Sequence, residues 1–214
     1  MKKLNYLAYY FVFVVLYCLL IFTNSNVKSI FKYIGLGLIA ILLIIAIIYF
    51  VLFTKLRKQN EKLYKMIDDK EYDEVITFIN NKLNKKVDGF QKDIYNFLLT
   101  LAYVYKDDKN KLFESIERIN NKDVYPQVYY YIACYNFLED KYEELALYHH
   151  KFVDSFQYKK QPEAYSNLNK VFRAICKYSE SIEEAQKMIE MVDKSSFTVP
   201  CSIKAIDKIK NSMQ

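Results

Sequence analysis

Breakers are scarce in this chain, with 3 glycines and 3 prolines in 214 residues, and there is no tryptophan. A β-sandwich or barrel needs turn residues about every 8 to 12 positions, so an all-α fold is expected. The glycines, Gly35, Gly37 and Gly89, form neither a dinucleotide fingerprint nor a phosphate loop, which argues against nucleotide-binding enzymes of those kinds. Arginine is scarce too, limited to Arg57, Arg118 and Arg173. The net charge of +6 divides unevenly, because Lys2, Lys3, Lys28 and Lys32 face no acid within residues 1–54. Residues 55–214 are then nearly neutral at +2, too weak a footprint for a nucleic-acid partner. Four cysteines, Cys18, Cys134, Cys176 and Cys201, show no C-x-x-C and no histidine at ligand spacing. They read as free thiols in a reducing compartment, and no metal or cofactor is expected.

What is present at the amino end is apolar. Residues 4–22 carry no charge and residues 33–53 carry none, and each run is long enough to cross a hydrocarbon core of about 30 Å. A half-buried soluble helix would show a polar residue every third or fourth position, and 39–53 shows none, so the bilayer is its expected solvent. A cleaved signal peptide is the alternative for the first run, but no A-x-A-like site follows Phe22. Two spans joined by a short loop predict a transmembrane hairpin over residues 1–54 with a second domain over 55–214. Lys2 and Lys3 precede the hairpin, and a basic cluster of Lys55, Arg57, Lys58, Lys62 and Lys65 follows it. That asymmetry places both termini in the cytoplasm, with the cluster at the membrane surface facing anionic headgroups. The expected address is a bacterial cell membrane. Neither run contains an ionisable residue that would form an ion pathway, so the hairpin reads as an anchor.

From Lys55 onward the apolar spacing is helical, as in Leu63, Met66 and Ile67 followed by Val75, Ile76, Phe78 and Ile79. Short polar interruptions at Asp68-Asp69-Lys70, Asp107-Asp108-Lys109, Glu139-Asp140-Lys141 and Ser179-Glu180-Ser181 predict turns between paired helices. After each turn a similar tetrapeptide returns, beginning at Tyr72, Phe113, Tyr142 and Ile182, with a mean spacing of about 37 residues. With Ala102, Ala133 and Ala174 at close-packing positions of the first helices, residues 58–196 resemble the tetratricopeptide repeat, a helix-turn-helix unit. The uneven spacing and the missing tryptophan and turn glycine also admit HEAT-like or other irregular helical hairpins. About four hairpins are expected, closed by a capping helix over 200–212 with Ile203, Ile206 and Ile209 on its buried stripe.

No catalytic constellation emerges, and the chain reads as non-enzymatic. His149-His150 are adjacent and point about 100° apart, unlike the i, i+4 ligands of a metalloprotease helix. The carboxylate pairs sit at turns, where capping accounts for them, and Cys134 and Cys176 have no base in reach of any motif. Tyrosines are abundant, and Tyr129, Tyr130 and Tyr131 span about 200° of helix arc, so some are expected to face a groove or water. The resemblance implies a concave peptide groove along the first helices, lined by Asn96, Leu99, Tyr103, Gln127, Tyr130 and Phe137. A protein or peptide partner follows, for a membrane-anchored scaffold. A subunit of a secretion, envelope or immunity complex, with the hairpin making the key contacts, is the alternative, and a membrane-linked peptide sensor a third.

Overall fold

The structure, a computed structural model, describes residues 29–85, 87–192 and 197–212. The expected first span over 4–22, the loop lysines' surroundings and Cys18 lie outside them. Every regular element among the described residues is helical. The chain divides into two compact units, Met1–Lys62 and Leu63–Gln214.

Helix α1 runs Ser29–Asp68, 40 residues, or about 60 Å at the usual rise per residue. It contains the whole run 33–53 and continues to Asp68, because nothing between Thr54 and Asp68 breaks a helix. Over 43–53 its apolar side chains are exposed, with Ile47 and Phe50 at 62% and 70%, whereas Leu63 and Ile67 in its last turns are buried. Among the described residues, one helix is therefore long and apolar enough to cross a membrane.

The second unit holds α2 (Tyr72–Leu83), α3 (Gly89–Tyr105), α4 (Lys109–Glu117), α5 (Gln127–Leu138), α6 (Leu145–Asp154), α7 (Phe156–Lys160), α8 (Ser166–Tyr178), α9 (Ile182–Glu190) and α10 (Pro200–Asn211). Local chemistry starts several of these. Asp88 accepts from the Phe90 amide at 2.8 Å, Asp108 from Lys111 at 3.2 Å, and Ser181 from Glu184 at 3.3 Å, each filling an orphan donor of a first turn. Pro200 opens α10, where a missing amide hydrogen is harmless.

Three of the four predicted turns share one geometry. Lys70, Asp107 and Asp140 all have left-handed backbone, at φ 65°, 56° and 59°. Around each, the next residue's amide reaches back five positions, as from Glu71 to Met66 O, Asp108 to Tyr103 O and Lys141 to Asn136 O. This is the Schellman closure of a helix, here repeated 37 and 33 residues apart without glycine. The fourth turn, at Ser179–Ser181, closes differently, and no left-handed residue occurs there.

Neighbouring helices pair as α3 with α4, α5 with α6, and α8 with α9, with α2 against α3. Ala102, Ala133 and Ala174 are fully buried. α5 is packed on several sides, by α4, α6, α8 and α10. Tyr129, Tyr130 and Tyr131 are consequently all buried, which corrects the expectation that some face water. A helix apolar all round belongs inside. α10 packs on α9, as a terminal cap would, and also runs back over α8, α5 and α3. Its buried face is Cys201, Ser202, Ala205, Ile206 and Ile209, while Ile203 is 42% exposed, so the expected isoleucine stripe is wrong in one member.

Candidate functional site

The residues expected to line a groove are assembled, but in the interior. Leu99, Tyr130 and Phe137 are fully buried, Asn96 and Tyr103 are buried, and Gln127 is half-buried. That corrects the open-groove expectation: these positions form the floor of the unit, and other helices cover them. Asn96 donates from Nδ2 to the Arg118 carbonyl at 3.0 Å, and its buried Oδ1 has no hydrogen-bond partner. Tyr130 stands edge-on to Phe172 at 5.7 Å, and Phe137 edge-on to Tyr178 at 5.0 Å, so both belong to an aromatic core shared by α5 and α8.

α10 covers the part of the expected groove at Tyr130 and Phe137, whereas Asn96 faces the end of α4 and Tyr103 lies under Lys111. Tyr130 donates its hydroxyl hydrogen to Ser202 Oγ at 2.9 Å, and the Cys134 and Cys201 thiols are in hydrogen-bonding contact beside it. Lys208 Nζ donates to the Phe137 carbonyl at 2.8 Å and to Asp140 Oδ1 at 2.7 Å, lying 4.8 Å from the Phe137 ring centre. Lys204 pairs with Asp107. Both aspartates are the left-handed turn residues, and neighbouring tyrosines hold them: Tyr135 donates to Asp107 at 3.0 Å, and Tyr142 to Asp140. Lys208 and the Tyr142 hydroxyl keep the Asp140 carboxyl below its ordinary range. The signal for these residues was in the sequence as Asp107 and Asp140 of the turns and Lys204 and Lys208 one helical turn apart. Only the tertiary fold joins them.

The basic cluster is on α1, with Lys55, Arg57, Lys58, Lys62 and Lys65 all exposed. Arg57 turns to Glu61 at 2.7 Å. Lys55, Lys58 and Lys62 recur at three- and four-residue spacing and so share one face, and none pairs with a carboxylate among the described residues.

The remaining chemistry-bearing side chains have structural partners. His149 Nε2 contacts Asn169 Oδ1 at 2.8 Å with its ring edge-on to Phe172, whereas His150 pairs with Asp154 at 2.8 Å. Burial pushes the Cys134 thiol well up and the Cys176 thiol up to about 12, the latter helped by Glu180, so both stay protonated at neutral pH. Among the described residues no group of three or more His, Cys, Asp or Glu is placed to hold a metal ion. No protein-family model, curated protein or solved structure matches this chain.

Proposed function

We propose that this chain is a membrane-anchored, non-enzymatic scaffold whose helical unit binds protein or peptide partners at the cytoplasmic face of a bacterial cell membrane. The observation that carries the reading is α1: an apolar run left unburied, continuing as one helix into exposed lysines. Such a surface is tolerable only in lipid or under another apolar protein, since exposed patches of that extent otherwise drive association. The lysines following the run support a cytoplasmic second unit. A two-span hairpin, with residues 4–22 as its first member, would return both ends to that side. The repeated Schellman turns and paired helices support a solenoid of tetratricopeptide-like hairpins, an architecture that presents extended binding surface. Histidines and thiols engaged in packing support a non-enzymatic role. Tethering raises the local concentration of a partner, so modest affinity suffices.

A second reading, a subunit of a membrane assembly, rests on the same exposed apolar helix, where a Cβ added at Gly37 would meet nothing within 4 Å and leaves room for another integral protein. The two separate when residues 1–54 are replaced by an unrelated two-span hairpin and crosslinked partners are compared. An unchanged partner set is expected for the scaffold; loss of the set would assign the contacts to the hairpin.

A further inference from the structure

We infer that the face built by α3, α5 and α8 is a receptor for a basic amphipathic helix, and that α10 is its resident ligand. α10 crosses the first helices of three successive hairpins instead of adding a hairpin of its own. The polar rim is built for cations. Lys204 and Lys208, one helical turn apart, reach Asp107 and Asp140, which sit at equivalent left-handed turns of two different hairpins. Glycine is the residue that suits such a backbone, and aspartate there supplies instead a carboxylate fixed at the rim; strained non-glycine residues concentrate at ligand clamps. Tyr135 and Tyr142 hold those carboxylates in place.

The floor fits a narrow helix. α10 presents Cys201, Ser202 and Ala205 to a bed that includes Tyr130 and Phe137, so its backbone approaches closely. The ring contacts beneath it, Phe152 on Phe172 at 5.5 Å and Tyr130 on Phe172 at 5.7 Å, are made among α5, α6 and α8 alone. The chemistry that fits is therefore specific: cationic residues at i and i+4 with a small residue at i+1, on an otherwise apolar face. The occupant from outside the chain is a partner protein's helix of that pattern, which displaces α10. This deepens the scaffold reading and takes its use from it, but peptide binding does not depend on the anchor. A changed partner set after anchor replacement would leave the peptide result standing, and failure of the peptide would leave other faces open to partners.

The test uses the full chain in detergent micelles and a fluorescent peptide of residues 197–212. Ala205 is fully buried, so Ala205→Glu blocks docking of α10 while leaving the receptor face unaltered. Ala205→Glu protein is expected to melt cooperatively and to bind the peptide saturably, at least tenfold more tightly than the parent, whose own α10 competes as an intramolecular ligand. A peptide carrying Lys204→Glu and Lys208→Glu should bind it roughly tenfold more weakly, the sum of two exposed ion pairs. Loss of the cooperative melt, or no saturable binding, overturns the proposal and makes α10 a part of the core. Equal binding of the two peptides overturns the clamp. Light scattering in the same samples addresses a second copy as occupant: a parent dimer that excess peptide dissolves would overturn the partner-helix assignment in favour of α10 exchange between copies.

Discussion

Replacing Tyr130 separates a surface anchor from a core residue. The side chain is fully buried, edge-on to Phe172 at 5.7 Å and Tyr131 at 5.9 Å, with its hydroxyl donating to Ser202 at 2.9 Å. Truncating a buried aromatic to alanine costs about 3–5 kcal/mol through lost burial and the cavity left behind. Leaving the Ser202 hydroxyl without its donor adds about 1 kcal/mol. Against a total stability of about 5–15 kcal/mol that is a large fraction. At about 2–4 °C per kcal/mol for a unit of this size, Tyr130→Ala should melt about 8–24 °C below the parent. Tyr130→Phe keeps the ring and loses one hydrogen bond, so it should melt only about 2–4 °C lower. The assay is thermal melting of the full chain in non-ionic detergent, followed by the near-ultraviolet tyrosine signal, since a helix inside a micelle is insensitive to unfolding of the second unit. A Tyr130→Ala midpoint within about 2 °C of the parent would refute the burial, and equal losses for the two variants would refute packing as the larger effect.

Asp93 is buried and accepts from the Asn120 amide at 2.9 Å, the Asn120 side chain at 3.0 Å and the Asn121 amide at 3.0 Å, so Asp93→Ala should cost about 3 kcal/mol by stranding two amide hydrogens. An unchanged urea midpoint would contradict that. Lys70 carries a left-handed backbone at φ 65° and is exposed, so Lys70→Gly should gain about 0.5–1 kcal/mol, read as a slightly raised melting temperature. Asp107→Gly relieves the same backbone but discards the bonds from Lys204 and Tyr135, so it should gain less than Lys70→Gly or lose stability. Lys109 and Lys141 hold the exposed Glu139 carboxyl down at about 2, against an ordinary value of 4.5. A folded value below the unfolded one means that its stabilisation is complete above about pH 4.5 and is lost as the pH falls toward 2. Glu139→Gln should flatten part of the acid loss in a melting series, and a parallel curve would show that solvent screens the pair fully.

The parts of the fold legible in the sequence are those fixed locally. The charge-free run 33–53 marked the apolar helix, and the Asp-rich interruptions marked the turns, because helix capping and the length of an apolar run are set by neighbours in the chain. The continuation of α1 to Asp68 was implicit in the absence of a breaker after Thr54. The environment of α5 was not legible. Arc geometry correctly excluded a single-sided core for Tyr129, Tyr130 and Tyr131, but the covering helix lies 72 residues further on, at Ser202. Asn96, Leu99, Tyr103 and Phe137 were assigned to a groove by the tetratricopeptide resemblance, and only packing decides whether the face they share is open. On α10 Ile206 and Ile209 face inward as expected, but Ile203 points outward and the small Cys201, Ser202 and Ala205 are buried in its place.

The central claim is that α1 holds the helical unit at the inner face of a membrane. The most direct measurement fuses a reporter active only in cytoplasm after Gln214 and follows the fusion through alkaline extraction of the membranes. Retention in the alkaline pellet together with an active reporter is the predicted result. Release into the alkaline supernatant would contradict the span, and a retained but inactive reporter, accessible to protease from outside, would contradict the cytoplasmic placement.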